Sequence, residues 1–209
     1  KNFLFFENYN IFKRRGKISC AEVKSENLKN IKNVISKNYH LSYPNIFTLG
    51  SKIFMIPETA EKNRVELWVC EKFPQKWKLH KTFFQNESWV DLNFFIDRKG
   101  NKWLFGNKST DKYCDHNSEL YIYKVLDNNF NKLIPHEKNP VIIDSRTARN
   151  AGKIFYNDKD ELKNMFWYDR KVFEIVNEGE SIADFSRNSY IEYYSLYNTY
   201  RKVKEKLKK

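Results

Sequence analysis

The chain has 209 residues, of which 41% are hydrophobic, 17% aromatic and 31% charged, and its formal net charge is +12. That length allows a sizeable core in one or two domains. The sequence holds no apolar run of about 18 residues, which excludes a transmembrane helix. Three cysteines, Cys20, Cys70 and Cys114, are odd in number and widely spaced, which excludes a disulfide framework and a paired-cysteine metal motif. A reduced, cytoplasmic setting is the expectation. Cys114 and His116 alone do not make a metal site, so no metal is expected. There is no glycine-rich phosphate loop, so no cofactor is expected either. The lysines are scattered rather than clustered, which reads as diffuse composition more than as a selected basic surface.

Taken in chain order, the first run is Asn2-Phe3-Leu4-Phe5-Phe6, strand-like from its first residue. The chain opens there at Lys1 without Met, and we expect it to be a fragment of a longer one. Next comes a full unit of four short strands: Tyr43-Pro44-Asn45-Ile46-Phe47, then residues 53–56 after Gly50, then 65–69, then 77–84 after the turn Phe73-Pro74-Gln75. The unit recurs downstream. Leu92-Asn93-Phe94-Phe95 leads to Lys102-Trp103-Leu104-Phe105; Glu119-Leu120-Tyr121 echoes Glu66-Leu67-Trp68, and residues 127–130 echo 74–77. The offset is about 48–53 residues, the period of a four-stranded propeller blade. Residues 2–35 read as an incomplete earlier copy, and Gly152-Lys153-Ile154-Phe155 opens a partial fourth. An ordinary antiparallel sandwich is the competing architecture. The matched Gly, aromatic and Glu positions favour the repeat, and a blade, covered on both faces, explains apolar runs such as Phe94-Phe95-Ile96 that do not alternate cleanly.

Asp158 to Trp167 and Asp184 to Lys209 lack the hairpin punctuation. Tyr190, Tyr194, Tyr197, Val203 and Leu207 fall on helical spacing, with Ser186 or Asn188 as the expected cap. The end is polybasic, with Lys202, Lys204, Lys206, Lys208 and Lys209. The division expected is propeller blades over 1–156 and a helical tail over 157–209.

Several strings go together. They are Tyr39-His40-Leu41-Ser42-Tyr43-Pro44, Phe54-Met55-Ile56-Pro57-Glu58-Thr59, Val90-Asp91, His136 with Asn139-Pro140-Val141, and Asp144 through Arg149 to Phe155. In this order they resemble the N-terminal domain of the glucosamine inositolphosphorylceramide transferase family, which is related to the five-bladed propellers of arabinanases, levansucrases and invertases. The resemblance covers residues 1 to about 156 and implies a mainly β fold. The expected architecture is a partial, truncated five-bladed β-propeller with a C-terminal α-helical tail. Members of that family open with a blade carrying an Asp-Pro-Phe string that this chain lacks. The tail strings Tyr156-Asn157-Asp158 through Leu162 and Tyr193-Tyr194-Ser195-Leu196 look loosely similar to the C-terminal end of bacterial glycosyltransferases.

Propellers bind ligands where their inner strands begin, which by the repeat means Tyr43-Pro44, Val90-Asp91 and Ala151-Gly152. Asp91 stands where the related glycosidases place a carboxylate, and Pro57 turns Glu58 outward at a strand end; these two are the catalytic-type candidates. His40 and Tyr43, ahead of an inner strand, are candidates to stack on or bond a sugar ring. Arg146 and Arg149 lie where those glycosidases carry an acidic residue. A guanidinium cannot act as an acid but binds phosphate or carboxylate through its planar fork. The expected function is a carbohydrate-recognition or accessory domain of a glycan-modifying transferase that binds a sugar or sugar phosphate, beside a fused or associated transferase domain. The alternatives are a glycoside hydrolase or glycosyltransferase using Asp91 and Glu58, and a basic nucleic-acid or anionic-surface binder. No nucleic-acid module is recognisable, so no specific nucleic acid is expected.

Overall fold

Residues 53–56 read Ile-Phe-Met-Ile. Side chains alternate across a strand, so such a run is stable only where both faces are covered. Phe54 and Ile56 join one buried cluster with Phe47, Leu67, Phe94 and Leu104. Met55, between them, joins a second cluster with Ile18, Tyr39, Leu41 and Trp68. One sheet is therefore packed between two others.

In the computed structural model, which describes residues 2–24, 27–108, 116–150, 152–154, 176, 181–189 and 193–206, the chain forms two units, 1–154 and 155–209. The first unit is three antiparallel sheets in chain order. Strands β1 (Asn2–Asn10), β2 (Arg15–Lys24) and β3 (Asn27–Ile35) make the first. The second has β4 (Ser42–Leu49), β5 (Lys52–Glu58), β6 (Val65–Lys72) and β7 (Lys76–Phe83) in that order. The third has β8 (Trp89–Ile96), β9 (Lys102–Lys108), β10 (Glu119–Val125) and β11 (Leu133–Pro135), with β12 (Ile142–Ile143) paired to β10 beyond the path. Each is a meander whose strands follow one another, the form of a propeller blade. The fold is a partial propeller: the sheets do not close into a ring among the described residues. The first sheet has three strands where the second has four. By the repeat β1 answers to β5, so the first sheet has no counterpart of the inner strands β4 and β8 among the described residues.

The repeat is visible in bonding as well as in spacing. Glu66 is fully buried and accepts hydrogen bonds from Tyr39 Oη (2.7 Å), Arg64 Nε (3.0 Å) and Trp68 Nε1 (3.1 Å). Burial and then the Glu66 carboxylate push the Tyr39 hydroxyl up to about 12. In the third sheet Tyr121 Oη donates to Glu119 Oε2 at 2.7 Å. In both sheets an acid at the start of the third strand holds the aromatic two residues on. Asn139 joins the third sheet through its side-chain amide, which accepts from Ile122 N (2.9 Å) and donates to Ile122 O (2.8 Å), standing in for a strand residue.

The expected fourth copy does not start as a strand: residues 152–154 have no regular structure, Ala151 and Phe155 lying outside the described residues. The second unit carries α1 (Ile182–Ser189) and α2 (Tyr193–Lys206), which contact one another. The cap is Ser181 rather than Ser186 or Asn188, which lie inside α1. Ser181 Oγ accepts from Asp184 N at 3.0 Å, satisfying one of the amides a helix start leaves open. On α2, Leu196 and Val203 are buried, both at 0%, whereas Tyr197 is 42% exposed. Tyr190, Leu207, Lys208 and Lys209 lie outside the described residues. Among those described, no helix is long and apolar enough to cross a membrane.

Candidate functional site

The inner strands β4 and β8 each begin with an irregularity. Pairing with the next strand skips between Ser42 and Asn45 and between Val90 and Asn93. At each break one residue adopts the left-handed conformation, Tyr43 with φ 40° and Asp91 with φ 52°. A side chain there costs roughly 1–2 kcal/mol, and such bulges re-aim a side chain at the end of a sheet. Two residues beyond each break stands an asparagine. Asn45 Nδ2 donates to Asn93 Oδ1 at 3.0 Å, and both are buried. Asn45 Oδ1 accepts from Phe94 N at 3.2 Å. The paired asparagines tie β4 to β8 and so fix the two bulges relative to one another.

Asp91 is the centre of what the bulges present. Its carboxylate, 8% exposed, accepts from Arg149 Nε at 2.6 Å, and Arg149 Nη1 donates onward to Asn117 Oδ1 at 2.8 Å. The backbone of Asp91 is held as well. Its carbonyl accepts from Asn150 Nδ2 and Asn93 Nδ2, both at 3.1 Å. Its amide lies 3.4 Å from Glu58 Oε2, a long bond. Glu58, at the end of β5, is partly buried. Burial first, and then the charge of Asp91, push its carboxyl above the usual range, against the pull of Ser42, the Asp91 amide and Arg149. Tyr43 Oη accepts from Asn93 Nδ2 at 3.0 Å and from the Gly152 amide. Burial is the main cause that raises the Tyr43 hydroxyl. Asn107 braces the segment that delivers Arg149, donating to Ala148 O and accepting from Asn150 N, both at 2.9 Å. Beside Tyr43, Asn93 and Lys153 opens a cavity of about 540 Å³ that is also lined by Phe3, Phe5 and Phe73.

The candidates from the sequence therefore separate. Glu58, Tyr43, Asp91 and Arg149 come together, drawn from three distant stretches of chain. His40 stands beside them in sequence but its ring is engaged elsewhere: Nδ1 accepts from Gly16 N at 2.9 Å and Nε2 lies 3.6 Å from Glu7 Oε1. Gly16 permits this approach, since a Cβ there would sit 2.4 Å from Leu41 O. Arg146 is not brought to the cluster. Its side chain is 85% exposed and is bound by Asp144, whose carboxyl it holds down to about 2. Cys114 lies outside the described residues, and His116 Nε2 is 2.9 Å from Ser88 Oγ. Among the described residues no group of three metal-type ligands gathers. The asparagines Asn45, Asn93, Asn107, Asn117 and Asn150 do not stand out in an asparagine-rich sequence. Only the shared spacing of Asn45 and Asn93 behind their bulges marks two of them.

Three blade-like sheets with a braced carboxylate–guanidinium cluster where the inner strands begin define a propeller-type domain with a polar cluster at its rim. The chain belongs to the family described as "Glucosamine inositolphosphorylceramide transferase 1, N-terminal", whose model matches residues 1–177 and so runs past the boundary expected near 156. Similar curated proteins are glucosamine inositolphosphorylceramide transferase 1 from Arabidopsis thaliana and from Oryza sativa subsp. indica. The first is 29% identical over 75% of this chain and 20% of that protein. The second is 28% identical over 73% and 21%. This chain thus spans about a fifth of the length of those relatives. Among solved structures, an exo-β-1,3-galactanase from Clostridium thermocellum is 15% identical, with a TM-score of 0.47 over 64% of this chain and 33% of that one. A thermostable family-43 glycoside hydrolase is 12% identical, with a TM-score of 0.46 over 68% and 52%.

Proposed function

We propose that this chain is the carbohydrate-recognition part of a glycan-modifying transferase and binds a sugar or sugar phosphate at the Glu58–Asp91–Arg149 cluster. The observation that carries the reading is the Asp91–Arg149 pair at 2.6 Å, seated on a backbone held in the left-handed region. A strained residue persists only where its surroundings over-determine it, and such residues gather at binding sites. Glu58 offers acceptors for sugar hydroxyls, Asp91 holds the guanidinium in place, and Arg149, 49% exposed, offers donors to a hydroxyl or a phosphate. Membership of a family named for a glycan-modifying transferase supports the substrate class. The test is a calorimetric titration of the chain with neutral sugars, sugar phosphates and nucleotide sugars, beside Asp91→Asn. Saturable binding that the variant weakens about tenfold or more supports the reading. The absence of saturable binding across the panel contradicts it.

A catalytic role for Glu58 and Asp91 has one observation in its favour. Glu58 is held above the ordinary carboxyl range, as a general acid requires. Against it, the Asp91 carboxylate is committed to Arg149, whereas hydrolysis uses a second carboxyl group as base or nucleophile. Turnover of an activated aryl glycoside or a nucleotide sugar, lost in both Glu58→Gln and Asp91→Asn, would decide for catalysis.

A further inference from the structure

The hairpin joining β1 to β2 ends in Ile11-Phe12-Lys13-Arg14. Among the described residues Phe12, at 98%, and Ile11, at 77%, are the most exposed large apolar side chains. They are not loosely held. Lys13 N donates to Asn10 Oδ1 at 2.8 Å and Arg14 N to Ile11 O at 3.3 Å, and Arg14 takes φ 46° to close the turn. The strands below are in register through Asn10–Arg15 and Tyr9–Gly16. The turn thus fixes the backbone that carries two solvent-exposed apolar side chains, and the exposed Lys13 and Arg14 and the half-buried Arg15 follow them in the chain.

The hairpin also has a defined place relative to the rim. The Tyr9 ring meets the His40 ring at 5.9 Å, and Gly16 exchanges bonds with His40 and Leu41, the residues leading into β4 and Tyr43. Beyond that anchorage the paired strands run one residue further, to Asn10 and Arg15, and the four-residue turn 11–14 closes them. The tip therefore lies at the end of the first sheet that contacts His40 and Leu41, next to the start of β4.

We propose that this tip docks onto an anionic lipid bilayer, with Ile11 and Phe12 entering the headgroup–acyl boundary and Lys13, Arg14 and Arg15 lying against the anionic headgroups. Apolar groups backed by cations are the combination an interface binder uses, one part giving burial and the other attraction to anionic lipid. Nucleic acid would satisfy the cations and leave Ile11 and Phe12 without a role. A specific protein partner needs about 800 Å² from each side, whereas this surface is a convex tip of two apolar side chains, which suits a medium that deforms around it. The proposal does not depend on which sugar the rim holds.

The test is co-sedimentation of the whole chain with phosphatidylcholine vesicles, alone and with about 30% phosphatidylserine, beside binding to a DNA oligomer. The wild type is expected to partition to the anionic vesicles. Ile11→Gln with Phe12→Gln should weaken that partition about tenfold or more, and Lys13→Gln with Arg14→Gln by a comparable factor. Lys202→Gln with Lys204→Gln, which removes the same charge from α2, should change it little. Both tip variants should melt with the wild type, since the side chains touch solvent. As a positive readout, Phe12→Trp should keep the partition and gain blue-shifted fluorescence on vesicles, because tryptophan favours the membrane interface. The proposal is overturned if the wild type stays in the supernatant, or if the α2 variant matters as much as the tip variants. It is equally overturned if DNA binds through the tip while vesicles do not, or if the emission of the Phe12→Trp variant does not shift.

Discussion

Arg149 Nε and Asp91 Oδ2 are 2.6 Å apart although 58 residues separate them, and the pair closes a rim that Glu58 and Tyr43 complete. Arg149 is half exposed and Asp91 is almost fully buried. The cation partners the Asp91 carboxylate, and it also opposes, as the last of several causes, the burial and the Asp91 charge that raise the Glu58 carboxyl.

Arg149→Ala should lower stability at pH 7 by about 1–3 kcal/mol, less than the loss of a fully buried partner because the guanidinium faces water on one side. Without Arg149 the raised Glu58 carboxyl loses a charge that opposes its rise, and taking up a proton removes that cost, so the deficit should shrink as the pH falls toward the ordinary 4.5 of Glu58. Chemical denaturation at both pH values measures this, and an equal deficit at each would assign Arg149 a packing role instead.

Glu58→Gln is expected to do the opposite. The native carboxyl is raised above its ordinary 4.5, so the native state holds that proton more readily than the unfolded chain. The ionised form then costs stability as the pH rises from 4.5 through the native value, and the full cost applies above it. At pH 7 the amide should raise the melting temperature, and at pH 4 it should not. Ligand binding should weaken in the same variant, a trade of function against stability.

Tyr39→Phe removes the 2.7 Å bond to the buried Glu66 and leaves the ring in place. A hydrogen bond to a charged group is worth about 1.5–3 kcal/mol, so the unfolding midpoint should fall accordingly. Sugar binding should be unchanged, because Glu66 belongs to the packing between the first and second sheets and not to the rim.

Gly16→Ala should cost about 2–3 kcal/mol, since its Cβ would meet the Leu41 carbonyl at 2.4 Å, and a backbone atom cannot swing aside as a side chain does. The same substitution at Gly50, where nothing lies within 4 Å, has only the positive φ of 61° against it. Comparing the two melting temperatures separates crowding from backbone strain.

The sheets were legible in the sequence because their signal is local and repeated. Short apolar runs, the turn at Phe73-Pro74-Gln75 and the matched Glu66 and Glu119 all recur in register, and those two acids do the same job in both sheets. The bulges were half legible: Tyr43 and Asp91 could be placed at strand starts by the repeat, but not their φ values, which depend on what Asn93 and Asn150 hold. The separation of Arg146 from Arg149 could not be read. Both stand near the same strand start in sequence, and only the fold decides that Asp144, two residues away, takes one while Asp91, 58 away, takes the other. The helix cap was misplaced because the tyrosine pattern suggested a later start, whereas the Ser181–Asp184 pair was the stronger signal.

The most direct measurement of the central claim, that Asp91 and Arg149 act as one sugar-binding unit, is a double-mutant cycle on ligand affinity. Wild type, Asp91→Asn, Arg149→Lys and the double variant are titrated calorimetrically with the best ligand of the panel, with Arg146→Ala as the control. The account predicts a loss of about tenfold or more in each single variant, a double variant little worse than either, and a coupling of roughly 1 kcal/mol or more. Arg146→Ala should bind as the wild type does. Losses that simply add, or an Arg146→Ala defect as large as that of Arg149→Lys, would contradict it.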